Sequence, residues 1–147
     1  MTPMSVAVLA LLVAAQPAPD LAKIASEPDL VKRARLALTN AERATTAGGD
    51  ACRSGDHDKC SALLSEVQNS VELAQASLQK TGIDPARSPR HFKDAEIRTR
   101  KIMRLLDAVG AYVHSDDASH FDSVRRRVSE INDQLLSGIM SKRKRRK

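Results

Sequence analysis

The chain has 147 residues, a length suited to one domain whose core can fold without metals or several disulfides. Lys and Arg number 24 and Asp and Glu 18, and the final six residues Lys142, Arg143, Lys144, Arg145, Arg146 and Lys147 carry the whole excess, so the body is neutral and the tail is a separate cationic device. Aromatic residues make up 2% of the chain and Trp is absent, while Ala, Leu and Val supply the apolar content; this argues for helices and against both strand-rich folds and a base-stacking RNA-reading sheet.

Residues 1–15 read MTPMSVAVLALLVAA, with an unbroken apolar run from Val6 to Ala15 ahead of Gln16-Pro17-Ala18-Pro19. A bilayer span needs about 20 apolar residues, so the run is too short for an anchor. Its length fits the apolar region of a secretory signal, and Val13-x-Ala15 supplies small residues at a cleavage point. The segment before the run has no Lys or Arg, and the alternative is a buried first helix. No cysteine follows the run, which argues against lipid attachment at the cleavage point. Residues 1–15 are therefore expected to be a signal peptide, with the mature chain starting near Gln16 in a periplasmic or extracellular setting.

Residues 16–28 form a Pro- and Ala-containing lead-in with no assigned element. Asp29 then caps a helix from Leu30 to about Ala47, with Val31, Ala34, Leu38 and Ala41 at helical spacing and Gly48-Gly49 as the stop. This mostly Ala stripe packs closely but promises little burial, so the helix is expected to be the least stable. Asp50 to Asp58 is expected to be a polar loop. A second helix follows from about His57 to Lys80, with Cys60, Leu64, Val67, Val71, Ala74 and Leu78 on one seam. Gly82 ends it, with Ile83 expected beside Leu78 in a Schellman contact. Ser88 as N-cap and Pro89 at the first helical position open a third helix running to about Val113, whose inner face is Phe92, Ala95, Thr99, Ile102, Leu106, Val109 and Val113. After the turn 114–117, a fourth helix from about Ala118 to Met140 uses Phe121, Val124, Val128, Ile131, Leu135 and Ile139. Short connections make successive helices antiparallel, so the expected fold is all-α: an antiparallel up-down four-helix bundle over 29–140 with a disordered basic tail over 141–147.

The segment Ser88-Pro89-Arg90-His91-Phe92-Lys93 and the stretch VSEINDQLLSGIM from Val128 to Met140 resemble parts of a family of small exported bacterial helical proteins with no assigned activity. The resemblance covers the second half of the chain and rests on capping and stripe residues. It implies the bundle and export, and carries no catalytic residue or cofactor.

Cys52 and Cys60 are the only cysteines. In an exported protein the simplest reading is a structural disulfide clipping the loop to the helix start, worth about 2.5 kcal/mol by chain entropy. The alternative is a metal or small-ligand site, since Cys52, His57 and Cys60 with Asp50, Asp56 and Asp58 offer soft and hard donors. Tetrahedral zinc would need a fourth ligand or a water, and no CxxC knuckle or paired-His motif completes the set. His91, His114 and His120 stand at helix ends, with His114 placed to complement a helix dipole. Met103 falls one position off the inner stripe and no CxxCH motif is present, so no haem or other cofactor is expected.

The chain lacks GxSxG, a phosphate-cradling Gly-rich loop and HExxH, and an enzyme is not expected. Arg98, Arg100, Lys101 and Arg104, with Arg125, Arg126 and Arg127, could form an anion-binding face, but Asp94, Glu96, Glu130 and Asp133 are near enough in sequence to neutralise them. Lys142 to Lys147 have no acidic neighbour. They are expected either to attract anionic lipid, glycan or nucleic acid without sequence preference, or to act only as a solubilising tail. The leading expectation is an exported, non-enzymatic bundle serving as a binding or structural envelope component; the alternative is a small-ligand or metal-binding bundle at the Cys52 to Cys60 loop.

Overall fold

The computed structural model describes residues 19–141, and every element among them is helical. The expected signal peptide and the six-residue cationic run lie outside the described residues. Within the lead-in there is a short helix, α1 (Pro19–Ala25), which opens on a proline as first-turn geometry allows and seats Ile24 against the core.

Helix α2 (Leu30–Ser54) begins where expected: the Asp29 carboxylate accepts from the Lys32 amide at 3.0 Å, satisfying one of the orphan first-turn donors. Its end corrects the expectation. Gly48-Gly49 does not stop the helix, and residues 50–54 are helix rather than loop. A neighbour comes close at Gly49, where a Cβ would stand 3.0 Å from Val109 Cγ2, whereas one at Gly48 would meet Leu63 Cβ at an ordinary 3.4 Å. Glycine costs about 1 kcal/mol of helix propensity relative to Ala, which packing offsets here. The true stop is Gly55, at φ +79°. The buried apolar side chains of α2 are mostly Ala, as its stripe implied: Ala34, Ala37, Leu38, Ala41, Ala44, Ala51 and Cys52.

Only Gly55 and Asp56 separate α2 from α3 (His57–Lys80), which Asp56 caps by accepting from the Lys59 amide at 3.2 Å. Cys60, Leu64, Val67, Val71, Ala74 and Leu78 are all buried. Gly82 takes the left-handed conformation at φ +70°, and its amide donates to the Gln79 carbonyl. The Schellman ending is incomplete: the Ile83 amide donates to Thr81 Oγ1 at 3.2 Å, Thr81 Oγ1 donates to the Leu78 carbonyl, and Ile83 stays exposed.

Helix α4 (Arg90–Gly110) has Pro89, not Ser88, at its N-cap, with no side-chain cap bond, and it ends three residues short of Val113. Its stripe from Phe92 to Val109 is buried. Helix α5 (Ala118–Met140) buries Phe121, Val124, Val128, Ile131 and Leu135, with Ile139 partly covered.

The helices associate as a bundle whose neighbour relations follow from named contacts. α2 and α3 run antiparallel, with Asn40 on Ser70 and Glu66 and Cys52 on Cys60. α4 and α5 do likewise, with Glu96 on Asn132 and Asp107 on Arg125. α2 and α4 run in the same direction, since Arg98 reaches Thr39 and Glu42 while Gly49 meets Val109. α3 and α5 also run in the same direction, through Ser65 with His120, Glu72 with Arg127 and Gln75 with Gln134. The ring order is therefore α2, α3, α5, α4: successive helices alternate in direction as expected, but α3 and α4 sit diagonally, so the adjacent pairs α2 with α4 and α3 with α5 are parallel. The cause is the connection 81–89, which carries the chain diagonally across one end to α4. It passes the last turns of α5, where a Cβ on Gly138 would meet Pro85 Cγ at 3.1 Å. At about 3.3 Å per residue such a segment easily spans a bundle diagonal.

Candidate functional site

The two ends of the bundle differ in chemistry. One end gathers the C-termini of α2 and α4 with the N-termini of α3 and α5. Here Cys52 and Cys60 are bonded, Sγ to Sγ at 2.02 Å, and both are buried. The bond joins the last turn of α2 to the first turn of α3, so it clips a helical hairpin rather than a loop. Because both sulfurs share this bond, the pair offers no thiolate, and a Cys52, His57, Cys60 ligand set is not assembled. Among the described residues no group of three or more His, Cys, Asp or Glu is arranged to hold a metal ion.

His57 engages Asp117, in the connection between α4 and α5. Its Nδ1 lies 2.9 Å from Asp117 Oδ2, which requires the ring to donate to the carboxylate. This hydrogen bond raises the imidazole above its ordinary value of 6.5, with the charges of Asp117, Asp116 and Asp58 adding to it and partial desolvation opposing. His114 packs edge-on against the same ring, centroids 4.8 Å apart. It stands beyond the end of α4, not on it. On the other side of this end the Arg53 guanidinium lies over the Tyr112 ring at 4.4 Å, beside a cleft of about 200 Å³ lined by Gly49, Asp50, Leu105 and Val109. His120 is also tied down, its Nε2 3.0 Å from Ser65 Oγ. Neither His57 with Asp117 nor Arg53 with Tyr112 is legible as a pair in the sequence, because each joins residues some 60 positions apart through the ring order of the helices.

The arginine faces of α4 and α5 are largely neutralised, mostly by partners on other helices. Arg98 and Lys101 share Glu42 of α2, at 3.1 and 3.2 Å. Arg125 meets Asp107 of α4 and Arg127 meets Glu72 of α3. Only Arg100 with Glu96 and Arg127 with Glu130 use the sequence neighbours that helical spacing suggests. Of the seven cations, Arg104 and Arg126 make no ion pair among the described residues. A continuous anion-binding face is thus not assembled there; the pairs instead lace the four helices together, each contributing under about 1 kcal/mol at such exposure.

Between α1 and α2 a cleft of about 540 Å³ is lined by Ile24, Pro28, Leu36, Thr39, Asn40 and Arg43. Its polar edge is already saturated. Asn40 Nδ2 donates to Ser70 Oγ and Glu66 Oε1 at 2.9 Å each, while Asn40 Oδ1 accepts from Arg43, which also pairs with Glu66. No buried side-chain nitrogen or oxygen among the described residues lacks a partner, and the remaining polar lining of the cleft is Lys23, Ser26, Glu27 and Thr39 at its solvent side.

The opposite end gathers the N-termini of α2 and α4 and the C-termini of α3 and α5, and from it the chain continues through Ser141 into Lys142 to Lys147. No helix among the described residues is long and apolar enough to cross a membrane. No family model, no curated protein and no solved structure matches this chain.

Proposed function

We propose that this chain is an exported, non-enzymatic helical-bundle protein that acts as a binding or structural component of a bacterial envelope, held to a polyanion through its cationic end. The observation that carries this reading is the charge balance. Eighteen acidic residues match the cations of the body, many of them in ion pairs across the bundle, and Lys142 to Lys147 remain as an uncompensated block. Anionic lipid, glycan and nucleic acid all satisfy such a block by counterion release or surface attraction, at about 1 kcal/mol per cation near an anionic membrane. The bonded Cys52–Cys60 pair supports an oxidising compartment, since such bonds persist outside the reducing cytosol. Export would be directed by residues 1–15, with cleavage near Ala15, in keeping with the resemblance to small exported bacterial proteins. On this reading α2 to α5 form a four-helix up-down bundle in chain order, and α1 is an outrigger packed on α2.

The experiment is deletion of Lys142 to Lys147. Folding and melting temperature should be unchanged, because the segment lies beyond Ile139, the last of the described residues packed against the core. Binding to heparin, duplex DNA or anionic vesicles should disappear, and in the full chain it should weaken steeply as salt rises. A full-length chain that ignores all three at low salt refutes the proposal.

A further inference from the structure

The end of the bundle from which the cationic run leaves also carries exposed apolar side chains. Leu136 and Met140 stand one turn apart on α5, 43% and 72% exposed, and Met140 is the last residue of that helix. Ile83, 37% exposed, lies at the same end in the connection 81–89, whose Pro85 packs beside Gly138 on the face of α5 opposite Leu136 and Met140. Lys142 follows Met140 by two positions. Lys80, Arg90 and Lys93, at the adjoining ends of α3 and α4, are exposed and make no ion pair among the described residues, with Asp29, Asp84 and Asp94 exposed at the same end, so the charge excess there is that of Lys142 to Lys147. At the far end, about 34 Å away along a 23-residue helix, the exposed charge is mixed, Asp50, Asp56, Asp58, Asp116 and Asp122 standing with Arg53, Lys59, Arg125 and Arg126.

These features separate the polyanions. A glycan or a nucleic acid would engage the cations and leave Ile83, Leu136 and Met140 in water. A lipid leaflet satisfies both, since apolar side chains enter the headgroup and acyl boundary while cations meet the phosphates, and two weak signals together give firmer attachment than either alone.

We infer that this end of the bundle docks on an anionic lipid leaflet, with Met140, Leu136 and Ile83 entering the interface beside the cationic run. The inference rests on the polyanion reading of that run and narrows its partner to lipid. The test is vesicle co-sedimentation with an equimolar mixture of phosphatidylglycerol and phosphatidylcholine, with heparin binding measured in parallel. The full chain is compared with a chain lacking residues 1–15, so that the run Val6 to Ala15 cannot supply the binding. Replacing Ile83, Leu136 and Met140 by Ser together should weaken vesicle binding at least about tenfold and leave heparin binding unchanged. Met140→Ser alone, at the most exposed of the three positions, should give part of that loss in a fold that melts normally. Tyr112→Ser, at the opposite end, should change neither. Vesicle binding that is unaffected by the triple and single substitutions, or lost when residues 1–15 are removed, overturns the lipid inference while heparin binding keeps the polyanion reading. Loss of heparin and vesicle binding alike in the full chain defeats that reading itself.

Discussion

The two hairpins of this bundle are held by different means. Between α2 and α3 the connection is two residues, the buried residues of α2 are mostly Ala and Gly, and a disulfide staples the two helices beside the turn. Between α4 and α5 the connection is seven residues, no covalent bond is present, and the buried faces carry Phe92, Ile102, Leu106, Phe121, Val128 and Ile131. The first hairpin relies on close backbone approach, the second on side-chain volume. Close approach leaves little room for added atoms, whereas volume leaves a cavity when atoms are removed. The polar crossings do not divide in this way: Asn40 meets both Ser70 and Glu66 in the first hairpin, and in the second Asn132 Nδ2 donates to the Glu96 backbone carbonyl while Arg125 pairs with Asp107.

The sharpest way to break this contrast is truncation in the second hairpin. Leu106→Ala removes a fully buried side chain and should lower stability by about 2–5 kcal/mol in denaturant unfolding. Little loss would mean that α4 relaxes onto its neighbours and that volume is not what holds it.

The disulfide gives the next effect. Replacing Cys52 and Cys60 with Ala, chosen because Ser would bury two hydroxyls, should lower stability by about 2.5 kcal/mol through the unfolded chain. The bundle should still form, because the stripes of α3, α4 and α5 do not depend on the bond. Retention of a stoichiometric metal by the reduced wild-type chain, and its loss on substitution, would favour a ligand site at this end.

A smaller effect with the opposite sign is expected at the glycines. Gly48→Ala meets only Leu63 Cβ at an ordinary 3.4 Å and should stabilise by up to about 1 kcal/mol through helix propensity. Gly49→Ala should gain less, because Val109 must yield from 3.0 Å. If both substitutions destabilise by more than about 1 kcal/mol, the approach of α2 to its neighbours is tighter than these distances imply.

The smallest effect is electrostatic. The His57 imidazole is raised by Asp117, so this contact stabilises the fold fully below the unfolded value of 6.5 and fades as pH rises through the folded value. Asp117→Asn should bring the imidazole titration, followed by proton NMR, back down toward 6.5 and remove this pH dependence. An unchanged titration would show that Asp116 and Asp58 maintain the shift without the hydrogen bond.

The stripes of α3, α4 and α5 were legible from residue spacing because burial of one helical face imposes its period on the sequence, and Cys60 through Leu78 and Phe121 through Leu135 follow it. The Asp29 cap was legible for the same local reason, as its acceptor needs only an amide three residues on. The candidate chemistry was less so. The cysteine pair could be read from spacing and export, but the partners of Arg98, Arg125 and His57 could not, since an ion pair between helices is set by which helices are neighbours.

The sequence by itself determined that the chain is helical, where three of its helices start or stop, and that its charge excess sits in Lys142 to Lys147, because these are properties of local patterns and of composition. Tertiary structure alone decided that Gly48 and Gly49 lie inside a helix and that α3 and α4 sit diagonally. A glycine pair reads the same at a stop and at a close approach, and only the neighbouring Leu63 and Val109 distinguish them. A nine-residue connection reaches an adjacent or a diagonal position equally well, so the choice falls to how the buried faces of four helices best fit one another.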